Sequence, residues 1–169
     1  MEISAAQVKS LREQSGAGIM DCRNALISCK GDADKALKIL KDKGLLKAQK
    51  KADRTTGAGL VEAYIHTAGR IGALVEINCE TDFVARTDEF KNLAHCLAMQ
   101  VAAMNPQYIS EKDIPKTKIR KVITNEVCLM LQPYIKDPNK TINDVVIETI
   151  AKTGENIKVS RFIRYELGG

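Results

Sequence analysis

Apolar positions along the chain recur with a helical period, change to alternation near residue 58, and return to a helical period near residue 87. Val8 and Leu11 form the stripe of a first short helix. Ser4 and Gln7 have capping-box spacing, in which the serine oxygen accepts from a backbone N–H and the glutamine reaches back to the cap. Ile3 and Val8 fit the accompanying hydrophobic staple. Ser15-Gly16-Ala17-Gly18 ends this helix, because glycine accepts the left-handed conformation many helix ends require. A second helix is predicted over residues 19–28, stopping before Gly31. Asp32 caps a third, with Ala36, Leu37 and Leu40 on one face and Gly44 at its end. Helices of about 10 residues do not persist alone in water, so residues 1–46 are expected to pack as one three-helix module.

Residues 47–56 follow as a basic linker, from Lys47-Ala48-Gln49-Lys50-Lys51 to Thr55-Thr56. Strict alternation then begins: Leu60, Glu62, Tyr64 and His66 against Val61, Ala63 and Ile65. Ala68-Gly69 supplies a turn. Ile71, Ala73, Val75, Ile77 and Cys79 alternate with Gly72, Leu74, Glu76 and Asn78, completing a hairpin. Thr87 caps a long helix, with Asp88 and Glu89 in the first turn where the helix dipole favours anions. Phe90, Leu93, Ala94, Leu97, Ala98, Val101 and Ala102 form its apolar face, and Asn105-Pro106 stops it. Further helices are predicted over 116–131 and 143–152. The chain closes as a strand in which Ile157, Val159, Arg161, Ile163 and Tyr165 alternate with Lys158, Ser160, Phe162, Arg164 and Glu166. The predicted class is α+β: a three-helix module, then a core domain over 57–169 in which a small antiparallel sheet of about three strands packs with helices.

Composition narrows the picture. Of 169 residues, 44% are hydrophobic and 28% charged, as in an ordinary globular chain, which excludes collagen-like and disordered classes. No apolar run approaches the roughly 18–20 residues of a membrane span. Met1-Glu2-Ile3-Ser4 lacks the basic and apolar regions of a signal peptide, so a cytoplasmic location is expected. The net charge of +5 biases encounters toward acidic partners without requiring nucleic acid. An RNA-binding reading would use Lys35, Lys38, Lys41, Lys47, Lys50 and Lys51. The basic linker offers no aromatic to stack on bases.

Candidate chemistry is sparse. Cys22, Cys29, Cys79, Cys96 and Cys128 show no Cys-x-x-Cys spacing and read as buried free thiols. Glu80 and Asp82 would share a face if the second strand continued, and could then act as an acid/base or cation pair. His95 and Cys96 are helix neighbours and point apart. His66 and Cys79, on adjacent strands, are the remaining thiol–imidazole pairing. Phosphate-loop, dinucleotide, zinc-protease and nucleophile-elbow motifs are all missing, so no enzyme is expected. Thr81-Asp82-Phe83-Val84 sets a large aromatic after two polar residues where the chain must turn. The pattern fits two roles for Phe83, a core anchor or an aromatic presented to a partner's pocket.

These residues carry a resemblance. The run Asn78-Cys79-Glu80-Thr81-Asp82-Phe83-Val84-Ala85-Arg86 resembles the central signature of the elongation factor Ts family. The stretch from Val8 through Ser15-Gly16-Ala17-Gly18-Ile19-Met20-Asp21-Cys22 is similar to the family's N-terminal motif. The closing runs Gly154-Glu155-Asn156-Ile157 and Arg161-Phe162-Ile163-Arg164-Tyr165-Glu166 resemble the family too. The resemblance implies a guanine-nucleotide exchange factor for elongation factor Tu in translation. It implies that the N-terminal unit is ubiquitin-associated-like and docks on the partner's GTP-binding domain, with Arg12, Ile19 and Met20 in that contact. It implies that Thr81, Asp82, Phe83 and Val84 intrude near the partner's magnesium and phosphate site and displace the ion. No cofactor or metal of the chain's own, no membrane and no direct nucleic-acid contact are implied. The chain resembles the short, single-core members and looks shortened between Pro115 and Gln132. A second copy is therefore expected to supply the missing half-core through an isologous contact.

Overall fold

The computed structural model describes residues 3–118 and 123–169. Helices α1 (Ala5–Ser15), α2 (Ile19–Ser28) and α3 (Ala33–Lys51) come first, followed by strands β1 (Ala58–Ile65) and β2 (Ile71–Cys79). Next are the one-turn helix α4 (Asp82–Ala85), α5 (Asp88–Met104) and the one-turn α6 (Thr124–Val127). The short strands β3 (Pro133–Tyr134) and β4 (Asp137–Thr141), helix α7 (Ile142–Thr153) and strand β5 (Ile157–Glu166) complete the chain. It divides into two compact units, Met1–Arg54 with Ile147–Asn156, and Thr55–Val146 with Ile157–Gly169.

In the first unit the predicted capping box at Ser4 forms: the Gln7 N–H donates to Ser4 Oγ at 3.2 Å and the Ser4 N–H to Gln7 Oε1 at 2.9 Å. Gly16 closes α1 at φ 64°. Val8, Leu11, Cys22, Ala25, Leu26, Ala36 and Leu40 make one continuous core. Helix α3 does not end at Gly44 as expected. It runs on to Lys51, so the first part of the expected linker is helical. Leucine, lysine, alanine and glutamine all favour helix after Gly44, against the roughly 1 kcal/mol cost of one interior glycine. Gly44 is buried within α3, where a Cβ would meet Ile147 Cγ2 at 3.5 Å, an ordinary van der Waals contact, so the position packs against residues 147–156 without requiring glycine. Buried Asn156 closes the end of this helix by donating from Nδ2 to the Arg54 carbonyl at 2.9 Å.

In the second unit β1, β2 and β5 form an antiparallel sheet in the order β1-β2-β5. Ala73, Val75, Ile77 and Cys79 of β2 are buried, as are Phe90, Leu93, Ala94, Leu97, Ala98 and Val101 of α5, the helix on that face. The other face carries Val61, Ile65, Leu74, Ile163 and Tyr165, all exposed. The single alternation expected for β5 is interrupted. The register shifts between Glu76 and Ile77, leaving Ser160 as the extra residue. Such a bulge reverses side-chain parity: Ile157 is buried on one side of it, and Arg161, Ile163 and Tyr165 are exposed on the other.

A continuous helix over 116–131 is not found. Among the described residues the span holds only α6 and a 3-10 turn over Leu129–Leu131, and residues 119–122 lie outside the described residues. Thr117 and Ile123 are β-branched, which lowers helix propensity, and Ile123 offers no capping side chain. Buried Gln132 donates instead to the Glu126 carbonyl at 2.7 Å and accepts from Gln100 Nε2 at 3.2 Å. Gln100 in turn accepts from the Ile135 N–H at 3.0 Å. Two satisfied buried amides thus fasten this stretch to α5.

Candidate protein-docking surface

Strand β2 ends at Cys79, whose thiol donates to the Thr81 carbonyl at 3.2 Å. Thr81 then caps α4, accepting from the Val84 N–H at 3.4 Å. Six residues later Thr87 repeats the device, donating to the Val84 carbonyl at 2.8 Å and accepting from the Phe90 N–H at 3.3 Å. Two threonine caps therefore bracket a single helical turn and fix its rotation. Val84 and Ala85 face inward at 4% and 7% exposure, while Phe83 stands out at 81%. Asp82 and Arg86 flank it, both exposed. The core role left open for Phe83 in the sequence is thereby removed: Val84 is the anchor, and Phe83 is presented. Of the four residues in the Thr-Asp-Phe-Val run, Asp82 and Phe83 offer side chains outward and Thr81 and Val84 position them.

In the first unit Ile19 and Met20 are exposed, 54% and 62%, as are Arg12 and Ile27. Ile3, Val8, Lys9, Arg12, Ile19 and Arg23 line a shallow groove between α1 and α2. Lys9, Arg23 and Ile27 were missed in the sequence. Helical spacing carries the signal, since Arg23 and Ile27 lie four and eight positions after Ile19 and so extend its face.

The remaining chemical candidates separate. Asp82 opens α4, so it does not continue the strand beside Glu80. His66 follows the β1 end that faces Gly72, whereas Cys79 pairs with Ala58 at the far end of the hairpin, so they do not meet. His66 contacts Tyr64 Oη at 3.1 Å, and His95 contacts Glu62 at 3.0 Å. Among the described residues no group of three histidine, cysteine or carboxylate side chains is arranged to hold a metal ion. No helix among them is long and apolar enough to cross a membrane.

The class these observations define is a small α+β protein whose outward features are an aromatic on a doubly capped turn and an apolar, basic face on a helical unit. Comparison with known proteins specifies it further. The family profile described as elongation factor TS matches residues 45–123 and 116–169. The chain is 50% identical to elongation factor Ts of Thermoanaerobacter sp. (strain X514), with 98% of this chain and 95% of the relative covered. It is 50% identical to that of Thermotoga petrophila, with 99% and 98% covered. The alignments run over 194 positions, more than the 169 residues of the chain, so the relatives carry residues that this chain lacks. The chain belongs to the elongation factor Ts family, and its role is that of a translation elongation factor.

Proposed function

We propose that this protein binds elongation factor Tu carrying GDP in the cytoplasm and speeds release of the nucleotide, so that GTP can replace it. The observation that carries the reading is the exposed Phe83 beside Asp82 on a turn locked by Thr81 and Thr87. A nucleotide held through magnesium leaves when the metal site is distorted. A factor that does this needs no nucleotide pocket, catalytic acid or cofactor of its own. It needs to bind the opened partner more tightly than the nucleotide-bound one. The coupling is reciprocal, so nucleotide expels the factor in turn. Each tenfold acceleration corresponds to about 1.4 kcal/mol of selective stabilisation of the opened partner. Phe83 suits this role because an aromatic presents large apolar area with few rotatable bonds. Asp82 supplies an anion that competes for donors serving the partner's phosphates.

The helical unit acts as a ubiquitin-associated-like docking module. Its groove sets Ile19, Val8 and Ile3 among the cations Lys9, Arg12 and Arg23, a surface suited to an acidic amphipathic segment of the partner. The open sheet face docks a second copy of the chain. Across its strands Ala63, Leu74 and Ile163 form one row, and Val61, Glu76 and Arg161 the next. Apolar rows bordered by both signs of charge are self-complementary under a two-fold axis. The reading is tested by adding the protein to elongation factor Tu loaded with a fluorescent GDP and following release.

A further inference from the structure

We propose that the exposed face of α3 binds double-stranded RNA through its phosphate backbone, lying across the wide minor groove. In sequence the lysines of this region divide between a helix and a linker, and the family resemblance implies no nucleic-acid contact. The structure sets them on one continuous helix, Ala33–Lys51. That helix holds seven lysines against two aspartates, an excess of five, equal to the net charge of the whole chain. Three of the lysines are engaged. Lys35 pairs with Asp32 at 2.9 Å, Lys47 with Asp21 at 3.0 Å, and Lys51 donates to the Gly154 carbonyl at 2.6 Å. Lys38, Lys41, Lys43 and Lys50 are exposed, and among the described residues their ammonium groups have no partner.

The placement of these four follows from helix geometry. Leu40, Gly44 and Ala48 mark the buried seam of α3. At about 100° per residue, Lys38 and Lys41 project on one flank of that seam and Lys43 and Lys50 on the other. Asp42 and Leu46 form the crest between the flanks, with Gln49 beside them, all exposed. A helix about 10–12 Å across with cations on both flanks matches a groove walled by two phosphate strands. The minor groove of an A-form duplex is wide and shallow and displays 2′-hydroxyls. On the crest Gln49 serves those hydroxyls as donor or acceptor. The Asp42 carboxylate accepts from one, a donor that DNA lacks.

Other polyanions fit this face less well. Lysine is depleted from the cores of protein interfaces, which argues against an acidic protein. A membrane surface needs a broad apolar stripe beside the cations. Of its large apolar residues α3 exposes just Leu45 and Leu46, and the others pack in the core of its own unit. Single strands are held on aromatic platforms, and α3 has no aromatic. Duplex phosphates need none, because lysine neutralises them as a point charge. The chain's role as a translation elongation factor gives it structured RNA to meet. Phe83 belongs to the other unit, so the test does not depend on nucleotide exchange.

The test titrates the full chain into a fluorescently labelled RNA duplex of about 16 base pairs and follows anisotropy from roughly 50 to 200 mM salt. Log affinity is expected to fall with log salt at a slope of about −3 to −4, as for four phosphate contacts. Lys43→Gln and Lys50→Gln are each expected to flatten that slope by about 1. Combining them with Lys38→Gln and Lys41→Gln is expected to weaken binding at least about tenfold, with melting unchanged. Lys136→Gln, an exposed change in the other unit, is expected to bind as the wild type does. A DNA duplex of the same sequence, polyglutamate and phosphatidylserine vesicles are expected to bind more weakly than the RNA. No RNA binding at the lowest salt overturns the proposal, as do an unchanged slope in both single variants and equal or tighter binding of any of those three competitors.

Discussion

Phe83 and Val84 are neighbours on one helical turn and face opposite environments, the first 81% exposed and the second 4%. Their division of labour gives a stability contrast. Val84→Ala removes two buried methyl groups and is expected to cost about 2 kcal/mol. Phe83→Ala removes the larger side chain and is expected to change stability by only about 0.5 kcal/mol. Urea unfolding of both variants checks this, and a larger loss for Phe83→Ala would return that residue to the core.

Asp32 provides a pH-dependent contact. Its carboxylate accepts from the Lys35 N–H at 3.0 Å and pairs with the Lys35 ammonium at 2.9 Å. The Lys35 side chain first, and its N–H second, hold the Asp32 carboxyl below its ordinary 3.8. A depressed folded value means that the unfolded chain binds the proton more readily. The contribution is therefore fully present above the ordinary value and is lost as pH falls through the lower, folded one. Melting temperatures are expected to fall more steeply in the wild type than in Asp32→Asn below about pH 4. Parallel curves would remove the contact from the account.

The docking face is best probed by point changes. Deleting residues 1–54 would also strip the partner of residues 147–156, which pack in the same unit. Arg12→Glu and Ile19→Asp are each expected to weaken binding to elongation factor Tu about tenfold, near 1.4 kcal/mol, with melting unchanged. Titration calorimetry measures it, and wild-type affinity in both variants would clear that face of the role.

Leu74 lies at the middle of the open sheet face and pairs with Ala63 on one side and Ile163 on the other. Sedimentation at tens of micromolar is expected to give a dimer for the wild type and a monomer for Leu74→Glu. A monomeric wild type would leave the face to another occupant.

Much of this was legible in the sequence, and the failures have physical causes. Helix α1 with its capping box at Ser4, the β1–β2 hairpin and α5 each have two agreeing signals, a period and a punctuating residue. Gly44 misled because a lone glycine reads as a stop, whereas the helix-favouring residues that follow it outweigh the roughly 1 kcal/mol cost of one interior glycine. The bulge at Ser160 leaves no mark in an alternating pattern. Residues 116–131 are apolar enough for a helix, and the buried pair Gln100 and Gln132 that fastens the neighbouring stretch is 32 residues apart in sequence. At the candidate site the sequence located the turn but not its rotation. That depends on the hydrogen bonds of Thr81 and Thr87, which together turn Val84 in and Phe83 out.

The central claim is that the outward aromatic opens the partner's nucleotide site. Its most direct measurement is the rate of fluorescent GDP release from elongation factor Tu with saturating wild-type protein and with saturating Phe83→Ala. The account predicts release about tenfold slower with the variant, about 1.4 kcal/mol, although the variant is folded and bound. Release at the wild-type rate by a folded, bound Phe83→Ala protein would contradict it.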